Sequence, residues 1–169
     1  MLTWQGGSLS RVLHATDLRQ VPLILRYGLY SGTGRAPLAI GGARGEAYTH
    51  QIVSRQLRKG WEVVVLVFRI PASWAREADE PAGVGLEVVP GHPPPIPPST
   101  LLEELSTILP QGPGIVRAFK EWHREGKLVW LPPSHLDRSA TLEVNGALVD
   151  MGLLPTSILA RLVEFCNAG

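Results

Sequence analysis

One stretch of the chain decides its fold class: residues 61–70 read Trp-Glu-Val-Val-Val-Leu-Val-Phe-Arg-Ile, and Pro71 follows. A dense run of branched apolar residues favours a strand that is buried on both faces, and proline ends it. We therefore predict a strand at the centre of a sheet. A second apolar run, from Arg11 to Thr16, predicts another buried strand that carries His14 near its end.

Helical spacing fills the segments between the predicted strands. Leu18, Val21, Ile24 and Leu25 predict a short helix, with Gly28 as its stop. Further helices are predicted at residues 46–59, 101–109, 115–125 and 156–165, and further strands at 37–40, 84–89, 127–131 and, around the turn pair Asn145-Gly146, at 141–151. This mixture of strands and helices predicts an α+β fold.

Composition limits the class of protein. A chain of 169 residues fits one domain, in which residues 99–169 could form a C-terminal extension. Hydrophobic residues make up 44% of it and charged residues 18%, as in a folded protein. The net charge of +1 gives no global field for nucleic acid. Arg55, Arg58 and Lys59 form a local basic cluster, for which a solvated helix face is the preferred explanation.

Cysteine content and hydropathy bear on the compartment. The single cysteine, Cys166, excludes an intramolecular disulfide and a cysteine-based zinc site. His92, His123 and His135 lack the spacing of metal ligands, so we expect no metal. Because the longest apolar run is far too short to span a bilayer, we expect a soluble cytoplasmic protein without a membrane partner.

One motif carries chemical information. It begins with His14-Ala15-Thr16-Asp17 and ends, after a short helix that contains Pro22, with Gly28-Leu29-Tyr30-Ser31. This segment resembles the opening motif of ADP-ribosyltransferases, in particular the DarT-type enzymes that modify DNA. The matching positions are His14, Thr16, Gly28, Leu29 and Ser31, whereas Gln20 stands where that family has Asn.

The resemblance implies a split, mainly antiparallel sheet with flanking helices around a cleft for NAD. His14 would hydrogen-bond the ribose or the nicotinamide amide, and Tyr48 would stack on the nicotinamide ring. Either residue could instead be an ordinary part of the core or of an amphipathic helix. The residues expected to contact the dinucleotide are His14, Ala15, Thr16, Gln20, Gly28, Leu29, Arg44 and Tyr48, and Arg35 or Arg55 could take the place of Arg44 at its phosphates.

A transferase of this type also needs a carboxylate, because positive charge develops on the ribose as nicotinamide leaves. Glu87 lies in a predicted strand that precedes the proline-rich run 90–98, as the resemblance implies for the catalytic glutamate. Glu143 lies in the similar sequence Leu-Glu-Val but later in the chain. We prefer Glu87, and either residue could instead be an exposed strand carboxylate.

Several functional alternatives stay open at this point. The acceptor of ADP-ribose could be a base of single-stranded nucleic acid, a protein or a small molecule. A relative without activity could act as a binding module through the proline run and the helices after it. RNA 2′-phosphotransferase chemistry on a related NAD-using fold is a third possibility, and it would require several arginines at the cleft.

Overall fold

The computed structural model describes residues 2–4, 7–31, 35–40, 43–71, 75–77, 85–88, 99–108 and 113–168. The strands are β1 Leu2–Trp4, β2 Gly7–Asp17, β3 Leu29–Ser31, β4 Arg35–Ile40, β5 Val63–Pro71, β6 Ala75–Glu77, β7 Gly85–Val88 and β8 Val129–Leu131. The helices are α1 Val21–Tyr27, α2 Ala43–Arg58, α3 Ser99–Ile108, α4 Pro113–Arg124, α5 Arg138–Asp150 and α6 Thr156–Asn167, with 3-10 helices at Leu18–Gln20 and Pro133–His135. Mixed helix and sheet of this kind is compatible with the α+β prediction.

The main sheet is organised around β2. Strand β5 pairs with it antiparallel over nine residues, from Leu9 opposite Pro71 to Asp17 opposite Val63. Strands β1 and β4 pair with β2 as well, and β7 and β6 follow beyond β4, all antiparallel. Strands β3 and β8 form a separate antiparallel pair. The strand of His14 is therefore an inner strand of the sheet.

Strand β5 is buried on both faces but is not central, so that prediction is wrong. Among the described strands β5 pairs with β2 alone, and helix α5 covers its other edge. The Asn145 side chain accepts from the Val65 N–H at 2.9 Å and donates to the Val65 carbonyl at 2.7 Å. The Thr141 hydroxyl accepts from the Val67 N–H at 3.0 Å. Two polar side chains of a helix therefore take the place of a neighbouring strand.

The predicted strand or hairpin at 141–151 is also wrong, because these residues belong to helix α5. Asp137 caps the helix by accepting from the Ala140 N–H at 2.9 Å. The buried residues of α5 recur at helical spacing: Ala140, Thr141, Asn145 and Leu148. Packing of this face, together with the cap, outweighs the turn preference of Asn145-Gly146.

The other predicted elements are confirmed within a few residues, although α2 begins at Ala43 and the strand predicted at 37–40 begins at Arg35. The main core joins β2 and β5 to residues as late as Leu162 and Cys166, so the C-terminal helices share the core of the N-terminal strands. The proline run 90–98 and the glycines at 32, 34, 41 and 42 lie outside the described residues.

Helices α3 and α4 form a second, smaller core with Tyr30 of β3 and with Leu128, the residue before β8. Its buried members are Leu102, Ile115, Phe119 and Leu128. The Tyr30 ring of β3 contacts the Phe119 ring at a centroid distance of 4.8 Å, and its burial raises the pKa of its hydroxyl. Helix α3 is tied to α1 through Glu104, which accepts from the Tyr27 hydroxyl at 3.0 Å.

Candidate functional site

The first half of the motif lies on the regular part of β2. His14 is opposite Leu66 and Thr16 is opposite Val64 on β5. Residues two apart on a strand share a face, so the imidazole and the hydroxyl lie side by side. Both residues are half-buried. An adjacent ring nitrogen and hydroxyl that solvent can reach form a small set of hydrogen-bonding groups on this face.

The second half of the motif connects β2 to β3. Asp17 accepts from the Arg19 N–H at 2.8 Å and so begins the 3-10 helix, and its hydrogen bond to the Arg19 side chain lowers the pKa of its carboxyl. Gln20 is exposed, and its side chain forms no capping bond to α1. Helix α1 then ends at Gly28.

Gly28 has a structural reason to be glycine. Its φ of +87° is unfavourable for a residue with a side chain, and a Cβ there would lie 2.3 Å from the Leu131 carbonyl oxygen. The Trp130 indole N–H donates to the Tyr27 carbonyl at 2.9 Å just beside it. The space that a side chain would need at Gly28 is thus filled by β8. Gly28 therefore allows α1 to end directly against β8, and Leu29 beyond it is buried in the main core.

Tyr48 lies on α2, half-buried and packed against the main core. The start of α2 is linked to β2 through Arg11, whose guanidinium lies 3.5 Å from the Glu46 carboxylate. Arg11 and His14 are three residues apart on a regular strand and therefore point to opposite faces of the sheet. The described contacts do not bring His14 and Tyr48 together, and their joint role at a dinucleotide stays a prediction.

Glu87 lies on β7, where it is opposite Arg35 of β4 and Arg76 of β6. Strand β4 separates β7 from β2, so the strands of Glu87 and His14 are two strand spacings apart, or about 10 Å. The backbone therefore places both residues in one sheet. The side chains of Glu87, Arg35 and Arg44 lie outside the described part of the structure.

Glu143 is not on a strand, as its sequence suggested, but on an exposed position of α5. Arg55 is exposed near the end of α2, eleven residues after Arg44 and hence about 16 Å farther along the helix axis. Glu143 thus lies on a helix that packs against β5, whereas the helix of Arg44 and Arg55 packs against β2.

A charged cluster, where the middle of β2 pairs with the last residues of β5, was missed by the sequence reasoning. Arg11 is directly opposite Arg69, and the Arg69 Nε atom lies 3.1 Å from the Asp137 carboxylate. Burial raises the pKa of the Asp137 carboxyl, but the hydrogen bonds from the Ala140 N–H and from Arg69 outweigh it and lower the pKa overall. The sequence did contain a sign of this cluster. Arg11 begins one apolar run and Arg69 lies near the end of the other, and antiparallel pairing of two strands brings the start of one close to the end of the other.

The remaining observations concern known proteins, metals and membranes. Comparison of this chain with protein-family models, with curated proteins and with solved structures finds no match in any of the three. Among the described residues, no three His, Cys, Asp or Glu side chains are grouped so that they could hold a metal ion. No helix in the described ranges is both long and apolar enough to cross a bilayer.

Proposed function

We propose that the protein is an NAD-dependent mono-ADP-ribosyltransferase. One observation carries the proposal: the motif of residues 14–31 occupies one continuous unit of strand, 3-10 helix, helix and strand, with its histidine and threonine on one face of β2. The resemblance that suggested the function concerns the same residues in the same order. The sheet order supports the proposal, because it puts the strand of Glu87 near that of His14.

The groups on β2 suit a dinucleotide co-substrate. NAD offers ribose hydroxyls and a carboxamide, and both need partners that can donate and accept hydrogen bonds. His14 has one ring nitrogen of each kind when neutral, and the Thr16 hydroxyl does both. Both side chains are half-buried, so they are reachable from solvent yet held in place by the sheet. In this proposal they bind and orient the ribose that carries nicotinamide.

In the proposed reaction the N-glycosidic bond of nicotinamide breaks and a bond from the acceptor to the same ribose carbon forms. The acceptor loses a proton, and nicotinamide leaves as the neutral base. Glu87 supplies the negative charge that stabilises the positively charged ribose in the transition state. We propose a base of single-stranded nucleic acid as the acceptor, on the DarT-type resemblance alone. Nicotinamide release with and without that acceptor is therefore the informative readout.

The test compares nicotinamide release by the wild type, Glu87→Gln and Glu143→Gln, each with and without single-stranded DNA. Because Glu143 is exposed on α5, Glu143→Gln is the matched control and should release nicotinamide like the wild type. Glu87→Gln should lose release by about a hundredfold or more, as expected when one transition-state charge is removed. His14→Ala should raise KM for NAD. Equal release by the wild type and Glu87→Gln would refute the assignment of Glu87.

A non-catalytic binding module is the second candidate, and one observation favours it. Helices α3 and α4 form a second core with Tyr30 and Leu128, and it is distinct from the main core. Such a unit could present a surface to a partner without any role in chemistry. Absence of both NAD binding and nicotinamide release in the folded wild type would select this candidate.

A further inference from the structure

Two residues of the basic cluster, Arg55 and Arg58, line a cavity near the end of α2, apart from the motif of residues 14–31. The cavity measures about 460 Å³ and lies between α2 and the turn that joins α5 to α6. Small-molecule sites commonly occupy about 300 to 1,000 Å³. The residues that line it are His50, Gln51, Ser54, Arg55, Arg58 and Leu153.

The lining is cationic and rich in hydrogen-bond donors. Two of its side chains are guanidinium groups, and no carboxylate occurs among the described residues that line it. Neither Arg55 nor Arg58 forms an ion pair within the described part of the chain, although other exposed arginines do: Arg26 with Glu104 and Arg161 with Glu62. Within the described part of the chain, the positive charge in the cavity is therefore not paired with a carboxylate.

Helix geometry explains why these side chains converge. Residues 50, 54 and 58 are four apart and share one face of α2, and residues 51 and 55 lie directly beside them. His50 and Ser54 are half-buried, whereas both arginines are exposed at the rim. A ligand would thus meet an imidazole and a hydroxyl at the floor and two guanidinium groups at the mouth.

The opposite wall is the turn between α5 and α6. Leu153 is held in the turn after α5 by its N–H, which donates to the Leu148 carbonyl at 2.9 Å. Helix α6 begins at Thr156, three residues farther on, and hence within about 10 Å along the chain. The N-terminus of a helix carries positive partial charge. The C-terminus of α5, which ends at Asp150 three residues before Leu153, carries the opposite partial charge. The two helix ends offset each other, and the positive charge of the cavity comes from Arg55 and Arg58.

We propose that this cavity binds the phosphate group of a small molecule of about nucleotide size. Guanidinium groups pair with phosphate oxygens through two parallel hydrogen bonds, which an isolated lysine cannot do. Arg55 and Arg58 bind the phosphate, and Ser54 and His50 donate hydrogen bonds to it. The inference does not depend on the ADP-ribosyltransferase proposal. None of these four residues belongs to the motif of residues 14–31, and Arg55 lies about 16 Å along α2 from Arg44, the arginine that the proposal places at the NAD phosphates.

The test is calorimetric titration of the full chain with pyrophosphate at fixed ionic strength. A second titration compares the affinity for AMP with that for adenosine, which lacks the phosphate. Wild type should bind pyrophosphate saturably and AMP better than adenosine. The double variant Arg55→Gln/Arg58→Gln should bind pyrophosphate at least about tenfold more weakly, since each charge-assisted bond alone has that effect. Circular dichroism of each variant checks that it is folded.

The matched control is Arg117→Gln/Arg124→Gln on α4, which removes the same charge from two exposed positions away from the cavity. It should bind pyrophosphate like the wild type. Three results would overturn the proposal: no saturable binding by the wild type, equal weakening in both double variants, or undiminished binding in Arg55→Gln/Arg58→Gln. The last result would place the phosphate elsewhere on the protein, and the second would reduce the effect to net charge.

Discussion

Replacing Asn145 by alanine should destabilise the fold more than its polar side chain suggests. Asn145 is fully buried, and its amide group satisfies both the N–H and the carbonyl of Val65 on the covered edge of β5. Alanine removes both partners at once. The third bond of the amide, to the Thr141 carbonyl at 2.6 Å, matters less because that carbonyl also lies within the helix.

The magnitude follows from the two backbone groups left without partners. Each buried group that loses its hydrogen bond costs about 1 to 3 kcal/mol. Alanine is the better helix former, and this offsets about 0.5 kcal/mol of that loss. We expect the free energy of unfolding to fall by about 3 kcal/mol. Thr141→Val, which leaves only the Val67 N–H without its partner, should lower it by about 1 to 2 kcal/mol.

Urea denaturation followed by circular dichroism measures these changes, provided that the slope against urea stays constant. Glu143→Ala on the exposed side of the same helix is the control and should change the free energy by less than about 0.5 kcal/mol. A loss below about 1 kcal/mol in Asn145→Ala would refute the argument, since it would mean that water or another group satisfies Val65 equally well.

Two further predictions concern a glycine and a carboxylate. Gly28→Ala should lower the free energy of unfolding by about 2 to 4 kcal/mol, because φ is positive and a Cβ would lie 2.3 Å from the Leu131 carbonyl oxygen. Gly126→Ala, where φ is +72° but the surrounding space is open, should lower it by only about 1 kcal/mol. Equal losses of the two variants in thermal unfolding would contradict this explanation. The lowered pKa of Asp137 means that its ionised form stabilises the fold above the unfolded pKa of about 3.9, and that this stability is lost as pH falls through the folded pKa. Asp137→Asn should therefore be less stable than the wild type at pH 7 and approach it at pH 3 in urea titrations, and a gap that is constant with pH would exclude this role.

Local patterns predicted most of the elements. The apolar runs at Arg11–Thr16 and Val63–Ile70 are strands, and the spacing of 156–165 is a helix, because these patterns reflect burial on one face or two. The pairing of β5 escaped prediction for a physical reason. Apolar side chains report that both faces of a strand are buried. They do not report whether another strand or a helix lies along its backbone edge, so the sequence alone does not distinguish a central strand from an edge strand that a helix covers.

Helix α5 shows a related failure. Residues 141–146 alternate like a strand and end in a turn pair, yet Thr141 and Asn145 share a helix face that meets β5. Only a tertiary partner reveals that use of their side chains. The candidate site was predicted in part: the sequence located the unit around His14, but the opposed Arg11 and Arg69 depend on strand register and could not be read from either segment alone.

The covered edge of β5 also prevents this side of the sheet from pairing with strands of other molecules. An open edge offers its backbone groups to any strand that approaches, including one from another copy of the chain. Residues 63–68 are the kind of branched, uncharged segment that self-assembles most readily when exposed. Helix α5 covers the backbone groups of that segment and so prevents another strand from pairing with it. A chain that lost α5 would expose this edge to other copies of the protein, and we expect it to aggregate.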